Sequence, residues 1–185
     1  MFRAPVRENV FLQLLEEGHA AEVFSLVDRD RAYLREWLPW VDATELIDDT
    51  LSFIRASREQ FASNKGFAAG IWSEQRFCGV IGTHQLDLLN RKGEIGYWLG
   101  RSFQGRGIMT EACRAVVTHL LGEMDLNRVS IHCARENEKS CAVAQRLGFT
   151  EEGTAREAQF LHGHFHDLRR FSMLKKDWNP AAGRL

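Results

Sequence analysis

Apolar positions recur along this chain at two spacings, which predict strands alternating with helices. Continuous or alternating apolar residues indicate short strands, whereas apolar residues three or four positions apart indicate helices with one buried face. Strand patterns cover residues 10–15, 67–72, 77–85, 94–99 and 128–134, and two more strands flank a turn within 158–174. Helical patterns cover residues 20–38, 46–64, the segment after 107, and 137–147. The order βαα-βββ-α-β-α-ββ predicts an α+β protein, in which one mixed sheet carries helices on both faces.

Capping and turn residues support several of these boundaries. Asp42 and Thr44 precede the second helix as candidate N-caps, and Glu45 stands at capping-box spacing from Asp42. Asn137 is placed to open the last helix, and Gly148 to end it as the residue after the C-cap. In the helix after residue 107, the positions that share the predicted buried face are Ile108, Ala112, Ala115, Val116, His119 and Leu120.

Length and composition fit a single domain. The chain has 185 residues, 44% of them hydrophobic, and no Pro/Gly/Ser-rich linker divides it, so residues 1–185 are predicted to form one domain. The net charge of −1 excludes the strong basic field that holds nucleic acid without sequence preference. No apolar run reaches the ~20 residues of a membrane span. The four cysteines are irregularly spaced, as is typical of reduced thiols. We expect a cytoplasmic protein that contacts neither nucleic acid nor membrane.

A glycine-bearing loop joins the strand at 94–99 to the following helix. Helix N-termini present unpaired N–H groups and partial positive charge, which attract phosphate. Gly105 and Gly107 lack the Cβ atoms that keep oxygens away from the backbone, and Arg106 adds a positive charge. The loop has neither the G-K-[ST] of a Walker A loop nor the G-x-G-x-x-G of a dinucleotide fold. Taken alone, it fits a phosphate site and a plain glycine turn equally well.

Two ordered segments together resemble the GNAT superfamily of N-acetyltransferases. Residues 104–109, QGRGIM, are similar to its acyl-CoA loop, Q/R-x-x-G-x-G/A, except that Met109 stands where Gly or Ala is usual. Residues 128–149 resemble its next block, a strand, then N-x-x-S at Asn137 and Ser140, then a short helix ending in G-F. The resemblance implies the GNAT fold, a central mixed and mostly antiparallel sheet of about seven strands flanked by about four helices.

Three further segments are similar to the ribosomal-protein (serine/alanine) N-acetyltransferase group. They are EIGYWL at 94–99, WLPW at 37–40 and the tail LHGHFHDL at 161–168. This resemblance implies transfer of an acetyl group from acetyl-CoA, as co-substrate and without a metal, to the N-terminal α-amine of a ribosomal or other protein by direct attack in a ternary complex. An acetyltransferase for a small amine and a non-catalytic acyl-CoA-binding module remain alternatives. A homodimer formed through the sheet edge or the tail is also open.

The resemblance also implies roles for individual residues. Backbone N–H groups near Leu99 are expected to bind the pantetheine arm or polarise the thioester carbonyl. The family often has a tyrosine as general acid where this chain has Ala144, so Ser140 is the candidate acid. The residues expected to bind the co-substrate are Leu99, Gln104, Gly105, Arg106, Gly107, Ile108, Met109, Asn137 and Ser140.

The general base has several candidates. Glu94 begins the central strand, where a carboxylate serves in many relatives, and His132 lies on the following strand, where an imidazole suits a base. Other relatives place a carboxylate near the position of Gln159, which cannot take a proton, so Glu157 is an alternative. Bound water without one essential residue is another.

Two residue clusters have open roles. His162, His164 and His166 would share one face of an extended strand, which suits zinc ligands, although Gly163 favours a turn there. An aromatic cluster either packs the second helix or forms an apolar lip over the acceptor amine; its members are Tyr33, Trp37 and Trp40.

Overall fold

One mixed sheet organises the fold. The computed structural model describes residues 3–181, within which eight strands run in the spatial order β1-β2-β3-β4-β5-β6-β8-β7. Neighbouring strands are antiparallel except for β5 and β6, which are parallel. The strands are β1 (Arg3–Arg7), β2 (Val10–Leu14), β3 (Ala68–Ser73), β4 (Arg76–Asp87), β5 (Lys92–Leu99), β6 (Arg128–Ala134), β7 (Thr150–Leu161) and β8 (His164–Leu174).

Helices cover both faces of this sheet. They are α1 (Ala20–Arg29), α2 (Arg31–Leu34), α3 (Ile47–Ala62), α4 (Ile108–Thr118) and α5 (Glu138–Arg146). Tyr97 of β5 contacts Ser140 of α5, whereas the adjacent Gly96 and Trp98 line a cavity whose opposite wall is α3. Successive side chains of a strand point to opposite faces, so α3 and α5 lie on opposite sides of the sheet.

The predicted α+β fold with one mixed sheet is confirmed, with differences in the element count. The sheet has eight strands rather than about seven because β1 was not predicted. Its sequence, RAPVR, has no clear alternation, and its pairing with β2 defines it. The helix predicted over 20–38 is divided at Asp30 into α1 and α2. The strand predicted from about residue 158 begins at Thr150.

The predicted cap of α3 is wrong. The helix begins at Ile47, and the Asp49 carboxylate accepts hydrogen bonds from the backbone N–H groups of Leu46 at 2.8 Å and Glu45 at 2.9 Å. Asp42 instead accepts two hydrogen bonds from the Arg35 guanidinium, each 2.8 Å long. Asp49 therefore fixes the backbone just before the helix from inside its first turn, while the Thr44 hydroxyl donates to the Trp40 carbonyl instead of capping the helix.

Helix α4 buries most of its predicted face. Ile108, Ala112, Val116 and Leu120 are buried, but Ala115 is only half-buried and His119 is exposed. A π-helical turn over His119–Glu123 follows α4. The wider turn breaks the 3.6-residue spacing on which the prediction rested and carries His119 away from the core.

The central strands β5 and β6 diverge after a short paired stretch. They pair at only three positions, Lys92 with Arg128, Gly93 with Val129, and Glu94 with Ser130. Beyond that point residues 95–99 of β5 pair with β4 on their other side. The sheet therefore opens into a V at its centre, beside the N-termini of α4 and α5.

Candidate active site

A cleft of about 770 Å³ opens at this V. One wall is formed by residues 97–99 of β5, and another by Tyr33 and Trp37 around α2. The start of α5 contributes Asn137, Lys139 and Ser140, so the cleft joins both segments singled out by the sequence. The loop residues that line it are Gln104, Gly105, Gly107, Ile108 and Met109.

The two loop glycines leave open space at the N-terminus of α4. Gly105 and Gly107 both have φ of +72°, a conformation that favours glycine, and Gly107 directly precedes the helix. A Cβ atom at Gly105 would meet no heavy atom within 4 Å, and one at Gly107 would meet only the Arg7 Nη1 atom at 3.6 Å. An anion can therefore approach the unpaired N–H groups of the first turn of α4.

The basic side chains along the cleft differ from the predicted one. Arg106 is exposed and is not among the lining residues, whereas Arg7, Lys139 and Arg146 are. The Lys139 ammonium donates a hydrogen bond to Gln104 Oε1 at 3.0 Å, which ties α5 to the glycine loop. Sequence reasoning missed Arg7 because β1 was not predicted, while Lys139 lies inside the recognised N-x-x-S segment.

Ser140 and Tyr97 form a pair of hydroxyl groups on the floor of the cleft. The Ser140 backbone N–H donates to Asn137 Oδ1 at 3.1 Å, which fixes the start of α5. The Ser140 hydroxyl donates to the Tyr97 oxygen at 3.3 Å, and the Tyr97 hydroxyl donates to the Ser140 carbonyl at 3.1 Å. Burial raises the pKa of Tyr97 well above its ordinary value, so the phenol stays protonated. Thus β5 supplies a tyrosine although the family's usual position holds Ala144.

A second cavity, of about 320 Å³, lies on the opposite face of β5. It lies between α3 and the sheet, and its wall is largely apolar, with Phe53 and Phe67 among the lining residues. Trp40 also lines it and packs against Trp98, with ring centroids 5.9 Å apart. The aromatic cluster is therefore divided, since Trp40 faces this second cavity while its other two members face the cleft. The residues common to both cavities are Leu38, Tyr97 and Trp98.

Glu94 and His132 form an ion pair on the face of the second cavity. His132 Nδ1 lies 3.2 Å from Glu94 Oε2, both side chains are half-buried, and neither is among the residues that line the two cavities. The hydrogen bond from His132 lowers the pKa of Glu94 and outweighs burial, which acts in the opposite direction; the charges of His132, His84 and Arg170 lower it further. Glu94 therefore remains a carboxylate at neutral pH.

The other candidate residues lie elsewhere. Glu157 is exposed on a bulge of β7, where its backbone N–H donates to the Asp167 carboxylate at 2.9 Å, and it lines neither cavity. His162 donates to the Arg35 carbonyl at 2.6 Å, whereas His166 faces Glu136 at 3.7 Å. Within residues 3–181 no three His, Cys, Asp or Glu side chains are grouped so as to hold a metal ion.

A helix N-terminus opened by glycines, beside a split pair of parallel strands, is the arrangement that the resemblance to acetyltransferases implies. A family model for the acetyltransferase (GNAT) domain matches residues 9–150, and the chain therefore belongs to the GNAT acetyltransferase family. The resemblance deduced from the sequence is confirmed. No helix within residues 3–181 is long and apolar enough to cross a membrane.

Relatives with known names span nearly the whole chain. YdaF of Bacillus subtilis (strain 168) is 40% identical over 179 residues, which are 96% of this chain and 98% of its own. The ribosomal-protein-serine acetyltransferase of Escherichia coli (strain K12) is 30% identical over 171 residues, covering 91% and 94%. The solved structure of RimL, a ribosomal L7/L12 alpha-N-protein acetyltransferase in complex with coenzyme A as a CoA–cysteine disulfide, superposes with a TM-score of 0.91. It is 29% identical and covers 94% of this chain and 98% of that one.

Proposed function

We propose that this acetyltransferase moves an acetyl group from acetyl-CoA to the N-terminal α-amine of a protein, with a ribosomal protein as the natural acceptor. The observation that carries the proposal is the meeting of the two cavities at Leu38, Tyr97 and Trp98. A thioester in the cleft and an amine in the second cavity would meet at this junction. That arrangement suits direct attack in a ternary complex, because binding both reactants removes most of the entropic cost of the encounter.

The cleft matches the parts of acetyl-CoA. The diphosphate fits the open space at Gly105 and Gly107, where Arg7 supplies a positive charge. The pantetheine arm carries amide groups, and β5 residues 95–99 are not paired with β6. The backbone N–H and C=O groups of these residues can form the hydrogen bonds with the amides of the arm that they would otherwise form with a neighbouring strand. The acetyl carbonyl then lies near Leu99, whose N–H we assign to its polarisation.

The hydroxyl pair serves the leaving group. Attack of a neutral amine on the thioester carbon forms the C–N bond, and the C–S bond then breaks. The departing thiolate takes a proton from Ser140, which Tyr97 supports through the 3.3 Å hydrogen bond. The nitrogen gives up its extra proton, which restores the Ser140 hydroxyl through water, and the products are the acetylated amine and the free thiol of CoA.

The acceptor amine must lose a proton on the side of Glu94 and His132. An α-amine has a pKa of ~7.7–8.0, so a substantial fraction is neutral near pH 8, whereas lysine at ~10.4 is almost fully charged. Glu94 is held as a carboxylate and attracts an ammonium group, so we assign to it and His132 the stabilisation of the positive charge that is released on this side of β5.

The second cavity is suited to bind a substrate that has one amine and an apolar body. None of the described residues that line it is acidic, so it lacks the carboxylates that would hold a polycation. Its aromatic wall suits the body of an N-terminal residue and the chain that follows. The ribosomal-protein acceptors in the names of the E. coli relative and of RimL support the same class of substrate.

A pair of matched peptides tests the acceptor. One peptide begins with serine or alanine and has a free α-amine, while the other has the same sequence, a blocked N-terminus and one lysine. Mass spectrometry after incubation with acetyl-CoA should show acetylation of the free α-amine only. Equal or preferred modification of the blocked peptide would overturn the proposed acceptor, and a panel of small amines identifies the alternative.

A further inference from the structure

We propose that His84, which sequence reasoning did not single out, takes the proton directly from the acceptor amine. This rests on the proposed function, since it assigns a base to the same site. His84 lies on β4 at a bulge, because Thr83 pairs with Ile95 and Gln85 pairs with Glu94, which leaves His84 as the extra residue. A bulge redirects a side chain away from the regular alternation of a strand.

The imidazole of His84 is exposed and lies against Gly96 of the central strand β5. A Cβ atom built at Gly96 would stand 1.7 Å from His84 Nε2 and 2.4 Å from its Cδ2, so any larger residue would collide with the ring. Both His84 and Gly96 line the second cavity, together with Tyr97 at the junction with the cleft. The bare backbone of Gly96 thus makes room for an imidazole within the acceptor cavity, next to the junction.

The charges around His84 suit a proton acceptor. Glu94 already receives a hydrogen bond from His132, and its lowered pKa makes it a weak base by itself. Its negative charge interacts electrostatically with His84 on the adjacent strand. Arg170 and His132, on the far side of Glu94, are the other ionisable groups that act on this carboxylate.

The wall of the second cavity that faces His84 across from the sheet contains no ionisable group among its described lining residues. The described lining residues from α1 and α3 are Val23, Thr50, Phe53, Ala56, Ser57 and Gln60, none of which ionises. Within residues 3–181 the His84 side chain forms no hydrogen bond, and it interacts electrostatically with Glu94. Because an imidazole exchanges protons near neutral pH, the ring is suited to act as a base toward an entering amine.

The proton balance of the reaction is then complete. The His84 imidazole accepts one proton from the acceptor ammonium, and the resulting neutral amine nitrogen attacks the thioester carbon. After the C–N bond forms, Ser140 gives its hydroxyl proton to the thiolate, and the second proton of the nitrogen passes through water to the Ser140 oxygen, which restores the hydroxyl. The His84 imidazolium then returns its proton to solvent.

A double-mutant cycle on His84 and Gly96 tests this role. His84→Ala should lower kcat/KM for the acceptor by roughly tenfold to a hundredfold and leave CoA affinity unchanged. Gly96→Ala should cause a similar loss, because its methyl group displaces the ring. In the His84→Ala protein, Gly96→Ala should lower kcat/KM little further, because there is no ring for its methyl group to displace. His164→Ala, at an exposed histidine that begins β8, is the matched control and should retain full activity.

The pH profile separates a proton acceptor from a structural residue. In His84→Gln the loss should be largest near neutral pH and should shrink toward pH ~9, where the free α-amine is mostly neutral. A His84→Gln protein with the wild-type rate and profile would overturn the proposal, as would independent, multiplicative losses in the cycle. CoA calorimetry confirms that each variant is folded.

The proposed acceptor can be wrong while the role of His84 is right. In that case the wild-type protein leaves peptide N-termini unmodified, and the cycle is run on whichever amine it does acetylate. If the wild-type protein acetylates no amine in the panel, both the proposed function and the role of His84 are wrong.

Discussion

At the scale of single residues, Gly107 combines a left-handed backbone with open space in front of a helix N-terminus. Gly107→Glu places a negative charge where the diphosphate is proposed to bind and should abolish CoA binding in calorimetry. Gly107→Asn tolerates the same backbone conformation without a charge, so it should weaken CoA binding less. The matched control is Gly122→Glu, at an exposed glycine in the turn after α4, which should bind CoA normally. Unchanged CoA affinity in a folded Gly107→Glu protein would contradict the site.

The two hydroxyl groups should differ in their effect on turnover. Ser140→Ala removes the proposed proton donor and should lower kcat by roughly tenfold or more, with little change in CoA affinity. Tyr97→Phe removes only the supporting hydroxyl and should cost less. Steady-state kinetics with the free N-terminal peptide measure both effects. If Ser140→Ala turns over at the wild-type rate, Ser140 has no part in the mechanism.

The sequence indicated some of these residues and missed others for a physical reason. Ser140 was found because Asn137 precedes it within one turn of the same helix, a local pattern. Tyr97 was missed as its partner because the two are separated by 43 positions and meet only across the divergence of β5 and β6. His84 was missed because nothing near it in sequence predicts a bulge.

At the scale of whole elements, local signals were again the reliable ones. The limits predicted for β6, Arg128–Ala134, are confirmed, and α5 begins after its predicted cap Asn137. Gly148, with φ of +75°, follows the end of α5 as predicted. The edge strand β1 and the first half of β7 were missed because their strand character comes from pairing with β2 and β8. Pairing energy between distant segments leaves little pattern in either sequence.

The hairpin of β7 and β8 is attached at its tip to the segment after α2. His162 donates to the Arg35 carbonyl and lies 3.7 Å from the Asp42 carboxylate. This segment continues into Trp37 and Trp40, which line the two cavities. The tip contact therefore holds part of the wall on which both substrates are proposed to rest.

Loss of this contact should loosen that wall. His162→Ala should speed amide hydrogen exchange over residues 35–42 and raise KM for the acceptor peptide more than it changes kcat. His164→Ala, two residues away and exposed, keeps the tip contact and should do neither. Normal exchange over 35–42 in His162→Ala would show that the contact does not stabilise the segment.

At the scale of the whole molecule, two halves of one sheet are joined by only three residue pairs between β5 and β6. The proposed position of CoA adds hydrogen bonds along the open part of β5. CoA should therefore slow amide exchange in residues 95–99 and at the start of α4, and should raise the melting temperature in proportion to its saturation. Exchange measured with and without CoA checks this. Protection confined to other regions would place the ligand elsewhere.

Because β5 and β6 pair at only three positions, the structure also makes a prediction about aggregation of the protein. An unpaired strand edge is a template on which a strand of a second chain can pair. Strands are commonly about 5–6 residues long, so a stretch of similar length is enough for such pairing. Residues 95–99 offer such an edge in the middle of a sheet rather than at its border. A CoA molecule bound along this edge would therefore also prevent a second chain from pairing with it. The ligand-free protein should accordingly be the form that aggregates first on mild heating, which light scattering can follow.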